Sequence, residues 1–94
     1  MEYTVQQNES DTKGSYYIES EGQKIAEMTY SIAGTDRIII DHTEVGEAYK
    51  GTGLGKIMVE KAVEDARAKQ ISIVPLCPFA RSVFDKNPQL RDVL

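Results

Sequence analysis

Residues 37–76, RIIIDHTEVGEAYKGTGLGKIMVEKAVEDARAKQISIVPL, change their hydrophobic period twice. Residues 37–45 read as a strand, and the run Ile38, Ile39, Ile40 suggests burial on both faces, as in a central strand. From Leu54 the period becomes helical. Leu54, Met58, Ala62 and Ala66 recur four apart with Ile57, Val59 and Val63 beside them, while Lys56, Glu60, Glu64, Arg67 and Lys69 fall elsewhere. Arg67 and Lys69 suit the negative end of the helix dipole, and Asp65 and Lys69 stand at a favourable i,i+4 spacing. Residues 71–76 then read as a short buried strand. A strand, a helix and a second strand, if the strands are parallel in one sheet, make a right-handed β-α-β unit.

Upstream of this unit the chain is β-prone. Residues 3–7 and 15–19 read as strands with residues 8–14 as the turn between them. From Lys24 onward, Ala26, Met28, Tyr30 and Ile32 alternate with Glu27, Thr29 and Ser31, the period-two pattern of a strand with one buried face. Glu21-Gly22 makes the hairpin before it and Gly34-Thr35-Asp36 ends it. Downstream, Pro78 suits the first turn of a second helix carrying Phe79, Val83 and Phe84 on one side, until Asn87-Pro88 stops it. Residues 89–94 give no reading. The expected fold class is α+β: an antiparallel meander, a mixed central sheet, the β-α-β unit and a C-terminal helix.

Ninety-four residues suit a single domain over residues 1–94, and 40% hydrophobic against 28% charged residues is enough apolar surface for a modest core. The net charge of −4 argues against nonspecific binding to nucleic acid, whose affinity comes from clustered cations. The longest aliphatic run is Ile38–Ile40, against the roughly 20 residues a membrane helix needs, and the N-terminus lacks a signal pattern. The expectation is a soluble cytoplasmic protein, with a monomer as the default. One cysteine, Cys77, permits neither an intrachain disulfide nor an all-cysteine zinc site, and one histidine with scattered carboxylates gives no ligand spacing, so no metal is expected.

The segment Lys50-Gly51-Thr52-Gly53-Leu54-Gly55 leaves the isoleucine strand and enters the amphipathic helix. Glycines there let a backbone approach a ligand, and the unpaired N–H groups of a helix N-terminus bind anions such as a diphosphate. No Gly-Lys-Ser/Thr follows, so it is not a Walker A loop, and Gly51, Gly53 and Gly55 do not have dinucleotide-fold spacing. On spacing alone, a mere strand-to-helix turn is an equal reading.

This segment resembles the motif of the GCN5-related N-acetyltransferases, an Arg or Gln, two residues, a Gly, one residue, then Gly or Ala, with Lys50 in the first position. His42-Thr43-Glu44-Val45 before it and Val74-Pro75, Cys77-Pro78-Phe79 after it extend the likeness, over residues 23–88, to a compact subfamily of GCN5-like proteins. The resemblance implies that the backbone of Lys50, Gly51, Thr52, Gly53, Leu54 and Gly55 holds the diphosphate of acetyl-CoA or CoA. It implies too that the main chain near Val45 pairs with pantetheine, where an N–H could polarise the thioester carbonyl. The second substrate would be an unidentified amine. Usual members are longer, with an early helical region that shapes the acceptor pocket. Many also carry a Tyr on the last helix as acid to the leaving thiolate, where this chain has only Phe79 and Phe84 as aromatics.

Three residues are candidates for catalysis. Cys77, just before Pro78, stands at a helix N-cap, where the dipole favours a thiolate able to take and pass on an acetyl group; the alternative is a buried apolar cysteine. His42 and Glu44, two apart on a strand, share one face and could take a proton from an ammonium or thiol; the alternative is ordinary hydrogen-bonded structure. Tyr16, Tyr17 and Tyr30 read as packing residues. Three functions stand open: an acetyltransferase acting directly or through Cys77, a CoA-binding module without turnover, and an interaction domain whose glycines only make a turn.

Overall fold

The computed structural model describes residues 3–94. Five strands, β1 (Gln6–Glu9), β2 (Lys13–Ser20), β3 (Gln23–Ala33), β4 (Arg37–Val45) and β5 (Ser72–Pro75), form one sheet in sequence order. Helix α1 (Leu54–Lys69) joins β4 to β5, and α2 (Pro78–Lys86) follows β5. Neighbours are antiparallel except the parallel β4–β5 pair, so the α+β mixed sheet with its β-α-β unit is as expected.

Each boundary has a local cause. The β2–β3 hairpin turns through Glu21 (φ 53°) and Gly22 (φ 78°), the two left-handed residues of a tight hairpin. Helix α1 ends at Gln70, itself left-handed, whose N–H donates to the carbonyls of Ala66 and Arg67. Helix α2 begins with Pro78 after Cys77 and stops before Asn87-Pro88.

Both helices cover the same sheet face. Tyr16, Ile18, Met28, Tyr30, Ile40, Met58, Val59, Val63, Ile73 and Phe84 are all buried in one cluster there. The Phe79 ring of α2 lies against Gly55 of α1, where a Cβ would collide with it. After α2, a 3-10 segment (Pro88–Val93) adds Leu90 and Val93 to the core. Arg67 of α1 holds it, donating to both carboxylate oxygens of Asp92 (2.8 and 2.6 Å) and to the Gln89 carbonyl (2.7 Å).

Three expectations need correction. The first strand is Gln6–Glu9 rather than residues 3–7, and the turn is only Ser10–Thr12, because Asn8 and Glu9 pair with Ser15 and Gly14. Ile39 is half-buried, since no layer covers the second face of the sheet; only Ile38 and Ile40 enter the core. Asp65 pairs with Lys61 at 3.5 Å and accepts the Tyr16 hydroxyl at 2.8 Å instead of pairing with Lys69.

The tyrosines read as packing residues are partly so. The buried rings of Tyr16 and Tyr30 lie 5.4 Å apart. Tyr30 donates to Glu9 at 2.6 Å and accepts from Gln7 at 2.7 Å, which ties the edge strand β1 to the core. Burial, then the bond to Glu9, pushes the Tyr30 phenol up to about 12, and burial with the Asp65 bond raises Tyr16 in the same direction. A raised phenol pKa means that folding favours the neutral form. The stability it contributes is therefore complete below pH 10 and is lost as pH rises towards 12. The unfolding temperature should fall across that interval, and more shallowly in Tyr30→Phe than in the wild type; circular dichroism melts at stepped pH check this.

Candidate functional site

The site begins where two strands part. β4 and β5 pair from Arg37 and Ser72 to Ile40 and Pro75. In this register Ser72 and Leu76 donate to the Asp36 and Ile40 carbonyls of β4 at 2.8 and 3.1 Å, and the next donor in that alternation would be Pro78, which has no N–H. The Ile40 carbonyl then accepts both the Leu76 and Cys77 N–H groups at 3.1 Å, and the chain turns into α2 while β4 runs on to Val45. From Asp41 onward, β4 has no β5 partner on that side.

A bulge coincides with the parting. Thr29 pairs with His42 and Tyr30 with Ile40, which leaves Asp41 as an extra residue on β4. Directly paired residues share a face. Thr43, opposite Met28, therefore points to the helix side with Ile40, whereas His42 and Glu44, opposite Thr29 and Glu27, point to the uncovered face. Strict alternation would have put His42 and Glu44 on the side of Ile38 and Ile40.

On the helix side the gap opens into a groove of about 650 Å³. Thr43 and Val45 form its strand wall, Tyr49, Lys50, Gly51 and the start of α1 its end wall, and Phe79, Ser82, Val83, Lys86 and Asn87 of α2 its third side. Gly51 and Gly53 have φ of 81° and 86°, a left-handed backbone that turns the chain abruptly into α1. The first intrahelical bond at this end is from Ile57 to the Gly53 carbonyl at 3.1 Å. Among the described residues, the N–H groups of Gly53, Leu54, Gly55 and Lys56 have no acceptor. Among the described residues, three lysines and no carboxylate line the groove, in a chain of net charge −4. Lys50 is paired with Glu47 at 3.0 Å; Lys56 and Lys86 have no ion-pair partner among the described residues.

Of the residues singled out from sequence, Val45, Lys50, Gly51, Gly53, Leu54 and Gly55 come together on this groove. Leu54 can offer only its backbone, because its side chain is in the core. Gly55 also has a packing reason to be glycine, the Phe79 ring. Thr52 lies off the groove, and its hydroxyl donates to the Tyr49 carbonyl. Cys77 occupies the N-cap of α2 as expected, but it is 5% exposed and its Sγ donates to Thr43 Oγ1 at 3.4 Å. Cys77 is thus on the groove side of the sheet, and His42 and Glu44 are on the other. The three do not form one cluster.

The uncovered face carries its own cavity of about 780 Å³, lined by His42, Asp41, Glu27, Thr29 and Ser31 and bordered by Leu76, which is 64% exposed. Asp41 accepts the Ser31 hydroxyl at 2.9 Å. His42 of this cavity precedes Thr43 of the groove wall on β4, so the two cavities lie on opposite faces of the same stretch of strand. Glu44 stands apart, in a small recess with Lys24 and Glu27. No three His, Cys, Asp or Glu side chains among the described residues converge as a metal site would require.

Sequence reasoning missed the α2 wall. Its signal was available: Phe79, Ser82, Val83 and Lys86 stand at i, i+3, i+4 and i+7, one helical stripe that includes a serine and a lysine.

A family model described as GCN5-related N-acetyl-transferase matches residues 15–93, a wider span than 23–88. A GCN5-like protein from Staphylococcus aureus is similar at 32% identity, with 94% of this chain aligned to 85% of that one and a TM-score of 0.71. A ribosomal-protein-alanine N-acetyltransferase from Brucella melitensis biovar Abortus 2308 shares the fold at 15% identity, covering 83% of this chain and 62% of its own, with a TM-score of 0.69. A Clostridium acetobutylicum protein solved with acetyl-CoA shares it at 18% identity, with 81% of this chain on 56% of that one and a TM-score of 0.65. This chain therefore spans less than two thirds of the length of those two. No curated protein matches it.

At Gly53 a Cβ would meet nothing within 4 Å, but the left-handed backbone strains any β-branched residue. Gly53→Val should cost about 1–3 kcal/mol in a denaturant melt, and Gly53→Asn less, because asparagine tolerates this conformation. Equal losses would show that space rather than backbone requires the glycine.

Proposed function

The chain belongs to the GCN5-related N-acetyltransferase family, and from that premise we propose that it binds acetyl-CoA in the helix-side groove and transfers the acetyl group to an amine. The observation that carries the reading is the meeting, in one groove, of an unpartnered strand edge, free helix N-terminal amides and a purely cationic set of charges. Acetyl-CoA supplies an acetyl group activated as a thioester. The N–H groups of Gly53 to Lys56 suit its diphosphate. The edge of β4 from Thr43 to Val45 suits the amide-bearing pantetheine as an added strand, and an N–H there would polarise the thioester carbonyl. Fit is chemical: anion to amides, extended amide chain to strand edge.

The acceptor amine would approach from the opposite cavity, through the β4–β5 gap. There His42 is the group best situated to take the ammonium proton, with Glu44 further along the same face. The amine nitrogen then bonds to the carbonyl carbon, and as the carbon–sulfur bond breaks the nitrogen's surplus proton passes to the departing sulfur, releasing CoA as the thiol. A route through Cys77 rests on its position beside Thr43 on the groove side. It would form a cysteinyl thioester first and release CoA before the amine attacks. Binding without turnover is favoured by one observation, the lack of a tyrosine on α2.

Acetyl-CoA should bind the wild-type protein in calorimetry. Ser82→Trp, which sets an indole in the groove from the α2 wall, should weaken binding at least about tenfold, or 1.4 kcal/mol, while the fold persists. No binding by the wild type, or undiminished binding by Ser82→Trp, would reject the groove. With an amine panel, loss of transfer in Cys77→Ala together with an acetyl mass on wild-type Cys77 selects the covalent route. Transfer that survives Cys77→Ala but falls in His42→Ala selects the direct one.

A further inference from the structure

We propose that Lys86, with Lys56, recognises a phosphate monoester that the ligand carries beyond its diphosphate, so that the groove selects CoA, with its ribose 3′-phosphate, over dephospho-CoA. This rests on the acetyl-CoA reading above and assigns a specificity to two residues of that groove.

The free amides at the start of α1 are sufficient partners for a diphosphate, and Lys50 already has Glu47 at 3.0 Å. That leaves two lysines on the groove wall with, among the described residues, no ion-pair partner and no carboxylate beside them in the lining, although acidic residues outnumber basic ones in the chain by 15 to 11. They come from different helices: Lys56 from the first turn of α1, Lys86 from the last turn of α2. Helix α2 starts at the β4–β5 gap, where the thioester would lie. At a rise of roughly 1.5 Å per residue, Lys86 stands roughly 12 Å further along α2. A ligand with its reactive end at Cys77 and its diphosphate at the glycine turn has its nucleotide end left to meet Lys86 and Lys56. The groove is open to solvent at that end, where both lysines are exposed, so a doubly charged phosphate monoester can be bound without full desolvation. Lys86 also complements the C-terminal dipole of α2, a role that affects folding stability but cannot discriminate between two ligands.

The test is paired calorimetric titration of the full chain with CoA and with dephospho-CoA at fixed low salt, on the wild type, Lys86→Ala, Lys56→Ala, the double variant and Lys86→Arg. The wild type should prefer CoA about tenfold or more, the scale of a charged hydrogen bond to phosphate. Each alanine variant should lose several-fold in CoA affinity with dephospho-CoA changed by less than about twofold, within the error of paired titrations. The double variant should have no preference, and Lys86→Arg should retain it. Equal wild-type affinities would overturn the inference and leave the acetyl-CoA reading standing. So would lysine substitutions that weaken both ligands equally, or a preference that survives in the double variant. If neither nucleotide binds the wild type, both the reading and the inference fall together.

Discussion

The site depends on what happens to one carbonyl. Up to Ile40, β4 and β5 share an ordinary parallel ladder whose last donor is Leu76; the Ile40 carbonyl takes that N–H and the Cys77 N–H as well, and the next donor in the alternation would be Pro78, which has no N–H. The strands must separate there, because one continues extended to Val45 while the other enters α2. Everything proposed for the ligand uses the resulting opening. A sheet that stayed paired to the end of β4 would have no free edge beside α1.

The bulge at Asp41 determines what faces that opening. By inserting one residue into β4, it sends Thr43 and Val45 to the helix side and His42 and Glu44 to the uncovered side. The free edge of β4 and Cys77 are thus separated from His42 and Glu44 by the thickness of a sheet. In a two-layer fold this would be an economical way to bring the two proposed reactants together, one under the helices and the other on the bare face, where β4 and β5 diverge.

Periodicity was enough for the frame. The change from period two to period 3.6 at Leu54 gave α1 from Leu54 to Lys69, and the alternation around Met28 and Tyr30 gave the inward face of β3. The glycine turn was legible because positive φ at Gly51 and Gly53 demands glycine. What failed was whatever depends on a partner strand or a distant residue. No local signal marks the extra residue Asp41, since a bulge is defined only against the register of β3. The edge strand β1 is wholly polar and is held by Tyr30, more than twenty residues away. The tail after Pro88 folds back because Leu90 and Val93 enter the core, with Arg67, on another helix, binding Asp92 beside them. The α2 wall of the groove failed for a different reason: Ser82 and Lys86 were visible, but only the packing of Phe79 on Gly55 shows that their stripe faces α1 and the groove.

The central claim is that ligand is held along β4 and the start of α1, on the helix side of the gap. An amide-resolved NMR titration with acetyl-CoA tests it most directly. The account predicts the largest shift changes at Thr43 to Val45 and at Gly53 to Lys56, with Tyr17, Thr29 and Ser31 on the bare face unchanged. Changes concentrated on the bare face, or none at the N-terminus of α1, would contradict it.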